Sequence, residues 1–175
     1  MSFDQLWAAW RASYVASVTM PGEAGDIVAP DDEAHCVFCQ IIASSEPDEA
    51  RHVVAEDELV VTMLNAYPYA SGHLLVMPRR HVRHPDELTE QESGTLWSAA
   101  VHAIGAVERA YAPDGLNLGV NLGRAAGAGI PRHLHLHVVP RWTGDTNFMT
   151  ALAAVRVLPE SLEDSWAKLR RAWAS

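Results

Sequence analysis

The sequence predicts one domain of mixed architecture, in which short β-strands pack with one long helix and a C-terminal helix. Three observations support this fold class. Five short segments carry the apolar runs or the alternation of apolar and polar residues that are typical of strands. Apolar residues between positions 96 and 111 recur every three or four residues, the period of an amphipathic helix. A length of 175 residues suits a single sizeable core.

The first 35 residues are predicted to form an N-terminal docking helix and a linker. Trp7, Trp10 and Tyr14 recur at helical spacing, and a stretch rich in proline, glycine and acidic residues follows them. Residues 160–175 are predicted to form a separate C-terminal helix. Its start is capped by Ser161 and Asp164, and its apolar stripe consists of Leu162, Trp166, Leu169 and Trp173.

The strands are predicted on both sides of the long helix. Apolar runs place them at residues 53–55, 59–64, 73–78, 116–122 and 133–139. A turn at residues 67–72 makes the second and third a hairpin or meander. Thr89 and Glu92 form a capping box at the start of the long helix. Its buried stripe is predicted to consist of Leu96, Ala100, Ile104, Val107 and Tyr111.

Composition excludes several classes of function. Lys and Arg number 13 against 22 Asp and Glu, a formal charge of −9 without a basic run. This balance argues against binding nucleic acid polymers or anionic membranes. No segment approaches the ~20 apolar residues of a membrane span, and residues 1–14 do not resemble a signal peptide. We therefore expect a cytoplasmic protein.

Three histidines carry the strongest functional signal. His133, His135 and His137 alternate with Leu134 and Leu136, so in an extended chain the imidazoles share one face. A neutral imidazole can attack phosphorus and form a covalent phosphoramidate, while its neighbours stabilise the phosphate oxygens. A single metal held by all three is disfavoured, because the outer two Cα atoms would lie ~13 Å apart in a strand.

Two further motifs point to ligands. Residues 123–130, Gly-Arg-Ala-Ala-Gly-Ala-Gly-Ile, are glycine-rich enough for backbone N–H groups to approach phosphate oxygens. Cys36 and Cys39 have metal-ligand spacing, and the alternative is a pair of reduced structural cysteines.

These motifs together resemble the histidine triad (HIT) superfamily, and within it the bacterial branch similar to diadenosine tetraphosphate phosphorylase, an ATP adenylyltransferase. The resemblance extends over nearly the whole chain. The matching segments are residues 6–11, 36–39, 64–69, 72–78, 121–123 and 133–148.

The resemblance implies an α+β HIT domain at residues 36–159, with a five-stranded antiparallel sheet, a long packed helix and a homodimeric assembly. It implies that His135 is the nucleophile, that His137 assists at the phosphate, and that His133 orients the site or binds metal. The residues implied to contact substrate are Asn65 (ribose), His73 (nucleotide pocket), Asn121 (phosphate or ribose) and the loop residues Gly127, Gly129 and Ile130.

The implied activity is cleavage of dinucleoside polyphosphates through a nucleotidyl-histidine intermediate, with phosphate or water as the acceptor. The common hydrolase pattern has Gln-Ser or Gln-Thr where this chain has Gly129-Ile130, so the acceptor stays open. Alternatives are a nucleoside phosphoramidate or nucleotide-sugar hydrolase or transferase, a non-catalytic nucleotide-binding module, and a zinc-dependent hydrolase.

The resemblance to zinc-bearing relatives, including the galactose-1-phosphate uridylyltransferases, implies a structural zinc. Its ligands would be Cys36, Cys39, His81 and His133, with His35 and His84 as substitutes for the third. No organic cofactor is expected.

Overall fold

A five-stranded antiparallel sheet lies at the centre of the computed structural model, which describes residues 33–145 and 159–174. Five antiparallel strands are what the resemblance implies, and their spatial order is β1-β2-β3-β5-β4. The strands are β1 Val53–Glu56, β2 Val60–Leu64, β3 Leu74–Pro78, β4 Gly115–Val120 and β5 Leu136–Arg141. The predicted N-terminal docking helix lies outside the described residues.

Four α-helices accompany the sheet in the described part of the chain. Two were predicted: α3, Glu90–Tyr111, and α4, Leu162–Trp173. Two short ones were missed: α1, Val37–Ala43, and α2, Asp48–Arg51. The residue before α1, Cys36, makes no side-chain capping hydrogen bond. Seven residues without a cap signal, three of them β-branched, look like a strand in sequence.

The two faces of the sheet carry different layers. Alternate residues of the strands, such as Val54 and Leu64, point to α3 and α4 and form the larger apolar cluster. The other set, such as Val61 and Met77, packs on the opposite face with Cys36 and with Phe38 of α1. One face of the sheet is therefore packed against α3 and α4, and the other against α1 and the residue before it.

The long helix is fixed at its first turn. The hydroxyl of Thr89 accepts a hydrogen bond from the N–H of Glu92, and the Glu92 carboxylate binds back to the Thr89 N–H. Both oxygens of Glu92 also accept from Arg80, each at 2.8 Å. Leu96, Ala100 and Val107 are buried as predicted, whereas Ile104 and Tyr111 are only partly buried.

The C-terminal helix completes the cover of the sheet. Leu169 is fully buried in the larger cluster. The indole N–H of Trp166 donates to the carbonyl of Val53 at 2.7 Å, and the Arg109 guanidinium donates twice to the carbonyl of Ala172. None of the described helices has the length and apolar character needed to cross a bilayer.

The last two strands differ from the prediction at their ends. Pairing in β5 begins at Leu136, so His133 and His135 precede the strand, and β4 ends at Val120 rather than at residue 122. The N–H of Leu134 instead bonds to the carbonyl of Val82, outside the sheet. Alternation of apolar and polar residues indicates an extended chain, but it does not reveal the residue at which pairing with a neighbouring strand begins.

Candidate functional site: a buried histidine row beside a four-ligand metal group

The three histidines of the triad are all buried. Their exposed fractions are 1% for His133, 5% for His135 and 9% for His137. Leu134 and Val138 point the other way, into the cluster beneath α3. The predicted alternation of faces is therefore present, although only His137 belongs to β5.

His135 is held in one orientation by the backbone. Its Nδ1 lies 2.7 Å from the carbonyl oxygen of His133, so Nδ1 carries the proton and donates it. In a neutral ring the lone pair is then on Nε2. The edge of Phe38 packs against the ring, with centroids 5.2 Å apart. Burial lowers the pKa of His135 and favours the neutral form.

His137 is oriented by a relay of hydrogen bonds. The N–H of Tyr69 donates to Nδ1 of His73 at 3.0 Å, so the proton of His73 is on Nε2. That Nε2 donates to Nδ1 of His137 at 2.9 Å, which leaves an N–H on Nε2 of His137. The carboxamide nitrogen of Asn121 lies 3.4 Å from the same Nε2. Burial lowers the pKa of His137 to about 4.

The turn that supplies this relay is itself fixed. The side-chain oxygen of Asn65 accepts the N–H of Tyr67 at 3.0 Å, and its carboxamide nitrogen lies 3.3 Å from Nδ1 of His73. Gly72 has φ +79, and a Cβ there would meet the ring of Tyr111 at 2.5 Å. Only glycine fits at this position.

The glycine-rich loop lies mostly at the surface. Gly123 and Gly127 have positive φ, and the N–H groups of Gly127 and Ala128 bond back to carbonyls of the loop. The predicted phosphate contact of Gly127 therefore does not involve its N–H in this conformation. A Cβ on Gly129 would meet nothing within 4 Å, and Ile130 packs on the cluster that contains Phe38.

Cys36, Cys39, His81 and His133 form a group that could hold a metal ion. Their ligand atoms all lie within 4.8 Å of one another. Sulfur and nitrogen are 3.4 Å apart for Cys36 and His133, and 3.3 Å for Cys39 and His81. Tetrahedral zinc with Zn–S ~2.3 Å and Zn–N ~2.1 Å would separate such atoms by ~3.6 Å. The donor set and its spacing fit zinc, and neither His35 nor His84 belongs to the group.

The protonation of this group also suits a cation. Nε2 of His133 lies 2.8 Å from the carbonyl of Pro78 and donates to it, so the lone pair on Nδ1 faces the cysteines. Burial lowers the pKa of His133 to about 4. Burial and the nearby Cys36 raise the pKa of Cys39 to about 12. A cation bound by the two cysteines would lower this pKa and stabilise the thiolate.

Two aromatic residues of the site were not predicted from the sequence. Phe38 packs on His133 and His135, and Tyr69 packs on His73 and His137. Phe38 lies between the two cysteines in the sequence. A metal bound by both cysteines and His133 would therefore bring Phe38 close to the histidines of the triad. That spacing was the only available signal.

Comparison with known proteins identifies similar sequences and folds. The model of the HIT domain family matches residues 46–144. AP-4-A phosphorylase from Mycobacterium tuberculosis (strain H37Rv) is 38% identical over 171 residues, which is 98% of this chain and 85% of the relative. An uncharacterised HIT-like protein from Saccharolobus solfataricus is 33% identical over 114 residues, or 65% of this chain and 79% of the relative.

Two solved structures of histidine triad proteins have folds similar to that of this chain. A zinc-bound histidine triad family protein from Mycobacterium smegmatis has a TM-score of 0.66 at 30% identity, covering 82% of this chain and 96% of the other. A hypothetical histidine triad nucleotide-binding protein from Sulfolobus tokodaii has a TM-score of 0.65 at 31% identity, covering 79% and 92%.

Proposed function

This chain belongs to the HIT family, and we propose that it cleaves dinucleoside polyphosphates such as diadenosine tetraphosphate through a nucleotidyl intermediate on His135. The observation that carries the proposal is the tautomer of His135. Its Nδ1–H is committed to the carbonyl of His133, so Nε2 presents a lone pair on a neutral, buried ring. The similarity to AP-4-A phosphorylase supports the choice of substrate.

In the first step, Nε2 of His135 attacks the α-phosphorus. A P–N bond forms and the P–O bond to the rest of the polyphosphate breaks, releasing ATP from diadenosine tetraphosphate. The Nε2–H of His137 donates to a phosphate oxygen, because the relay from His73 holds that proton on the required nitrogen. The predicted roles of Asn65, His73 and Asn121 in nucleotide binding, and those of Gly127, Gly129 and Ile130, belong to the same proposal.

In the second step, an acceptor oxygen attacks phosphorus and the P–N bond breaks, regenerating neutral His135. Inorganic phosphate gives ADP, and water gives AMP. We propose phosphate, because the similarity to AP-4-A phosphorylase supports a phosphorolytic reaction. In this proposal His133 orients the site through its backbone carbonyl, which accepts the Nδ1 proton of the nucleophile.

The test is incubation of the purified protein with diadenosine tetraphosphate, with and without inorganic phosphate, followed by mass identification of products. We expect ADP and ATP, formed only with phosphate. AMP and ATP would identify water as the acceptor.

Replacing His135 with alanine should lower turnover by on the order of 10³-fold or more. AMP should be trapped covalently on the wild-type protein but not on His135→Ala, which would report the intermediate. Undiminished turnover in the variant would refute the proposed mechanism.

We also propose that Cys36, Cys39, His81 and His133 bind a structural zinc and that the protein is a homodimer. The zinc would hold α1 against the residues that precede β5, without contacting substrate. Two features support self-association. Trp97 and Val101 lie one helical turn apart on α3 and are 59% and 51% exposed, and β4 is an edge strand.

A further inference from the structure

An exposed aromatic residue on the turn between β2 and β3 has no role in the proposed chemistry. Tyr67 is 87% exposed, more than any other exposed large apolar or aromatic side chain among the described residues. A side chain of this kind contributes little to the core, and burying it would favour binding.

The backbone that carries Tyr67 is fixed rather than loose. Its own N–H is bound by the Asn65 side chain at 3.0 Å, and the N–H of Tyr69 is bound by His73 at 3.0 Å. The end of the turn is held beneath the Tyr111 ring by Gly72. Because the turn is already ordered, a ligand that packs on Tyr67 meets a preformed surface and pays little additional entropy.

The turn joins the active site through a row of rings. The centroid of His137 is 4.9 Å from that of His135 and 5.8 Å from that of Tyr69, and Tyr69 stacks on His137 with an interplanar angle of 12°. Tyr69 is nevertheless 44% exposed. Tyr69 therefore packs against His137, the residue proposed to donate to the phosphate, and the exposed Tyr67 is carried on the same turn two residues earlier.

We propose that Tyr67 and Tyr69 form a stacking platform for the second nucleobase of the substrate, the base that departs with the leaving group. This inference rests on the proposed function. In a displacement at phosphorus the leaving oxygen departs opposite the attacking nitrogen, so the leaving nucleotide extends away from His135. A tyrosine ring can stack on a base and adds no charge of its own, so it does not repel the phosphates of the leaving nucleotide.

The platform makes the site selective for dinucleotides over mononucleotides that carry the same phosphates. Diadenosine tetraphosphate and adenosine 5′-tetraphosphate differ only in the second adenosine. Stacking of one base on an aromatic side chain contributes ~1–3 kcal/mol, or about 5- to 150-fold in affinity. The platform should therefore appear in the ratio of kcat/KM for these two compounds.

The experiment compares that ratio in the wild-type protein, in Tyr67→Ser and in Tyr67→Trp. We expect Tyr67→Ser to lower the ratio by about tenfold, and Tyr67→Trp to retain it because an indole also stacks. A ratio that is unchanged in Tyr67→Ser would overturn the inference, whether kcat/KM stays the same or falls equally for both substrates. If the wild-type protein cleaves neither compound, the proposed function fails instead, so the two failures are distinguishable.

Discussion

The proton positions of two histidines decide the chemistry at the residue scale. A backbone carbonyl takes the Nδ1 proton of His135, and a second histidine donates to Nδ1 of His137. The same residue type is thereby made a nucleophile at one position and a hydrogen-bond donor at the next. Because both rings are buried, both stay neutral at a pH where free histidine is partly charged.

The first prediction concerns the pH dependence of the reaction. The pKa of His137 is about 4 and that of His135 is lowered by burial, so protonation removes the nucleophile only in more acidic solution than usual. We expect kcat/KM for diadenosine tetraphosphate to be flat from pH 8 down through the ordinary histidine value of ~6.5, then to fall. Circular dichroism at each pH controls for unfolding. An acid limb centred at or above that ordinary value would contradict the prediction.

At the element scale, the turn between β2 and β3 links the helix layer to the active site. Gly72 lies under Tyr111, the last residue of α3, while His73 on its other side donates to His137. A shift of this turn therefore moves His73 and alters the hydrogen bond that sets the tautomer of His137.

The second prediction tests this turn with Gly72→Ala. The positive φ and the contact with Tyr111 should together cost about 2–4 kcal/mol of unfolding free energy. The control is Gly94→Ala in α3, where a Cβ meets nothing within 4 Å and alanine should stabilise by ~0.5–1 kcal/mol. Urea denaturation measures both. Equal effects of the two substitutions would show that Tyr111 does not restrict the turn.

The elements differ in how well the sequence predicts them. Residues with a strong period or a capping box, such as Thr89 with Glu92 and Ser161 with Asp164, predict α3 and α4 to within a residue or two. The short helix α1 has neither, and the start of β5 depends on a partner strand that local pattern does not reveal. Among the site residues, the histidines are recognisable by their spacing. Tyr69 is not, because its proximity to His137 depends on the pairing of β3 with β5.

At the scale of the whole molecule, the metal group joins segments that are distant in the chain. Cys36 and His133 are 97 residues apart, yet their ligand atoms are 3.4 Å apart. The same His133 provides the carbonyl that orients His135. A bound ion would therefore stabilise the fold and hold the nucleophile through one residue, without contacting the substrate.

The third prediction concerns metal removal. If zinc is structural, a chelator should lower Tm by roughly 2–4 °C for each kcal/mol of binding free energy lost, and activity should decline in parallel with folded protein. Cys39→Ser removes one of the four ligands and serves as the matched control, since its Tm should no longer respond to the chelator. Differential scanning fluorimetry and metal analysis provide the readouts. Immediate loss of activity in a fully folded protein would instead indicate a catalytic metal.

The position of α4 has a consequence for biosynthesis. Leu169 fills the larger apolar cluster, and Trp166 binds the carbonyl of Val53 across 113 residues of sequence. β1 therefore cannot pack against α4 until residue 173, the last residue of that helix, has left the ribosome. During translation, the partly made sheet exposes an apolar face that a chaperone would recognise. Ribosome-bound chains that end before α4 should therefore be more sensitive to protease than the released protein.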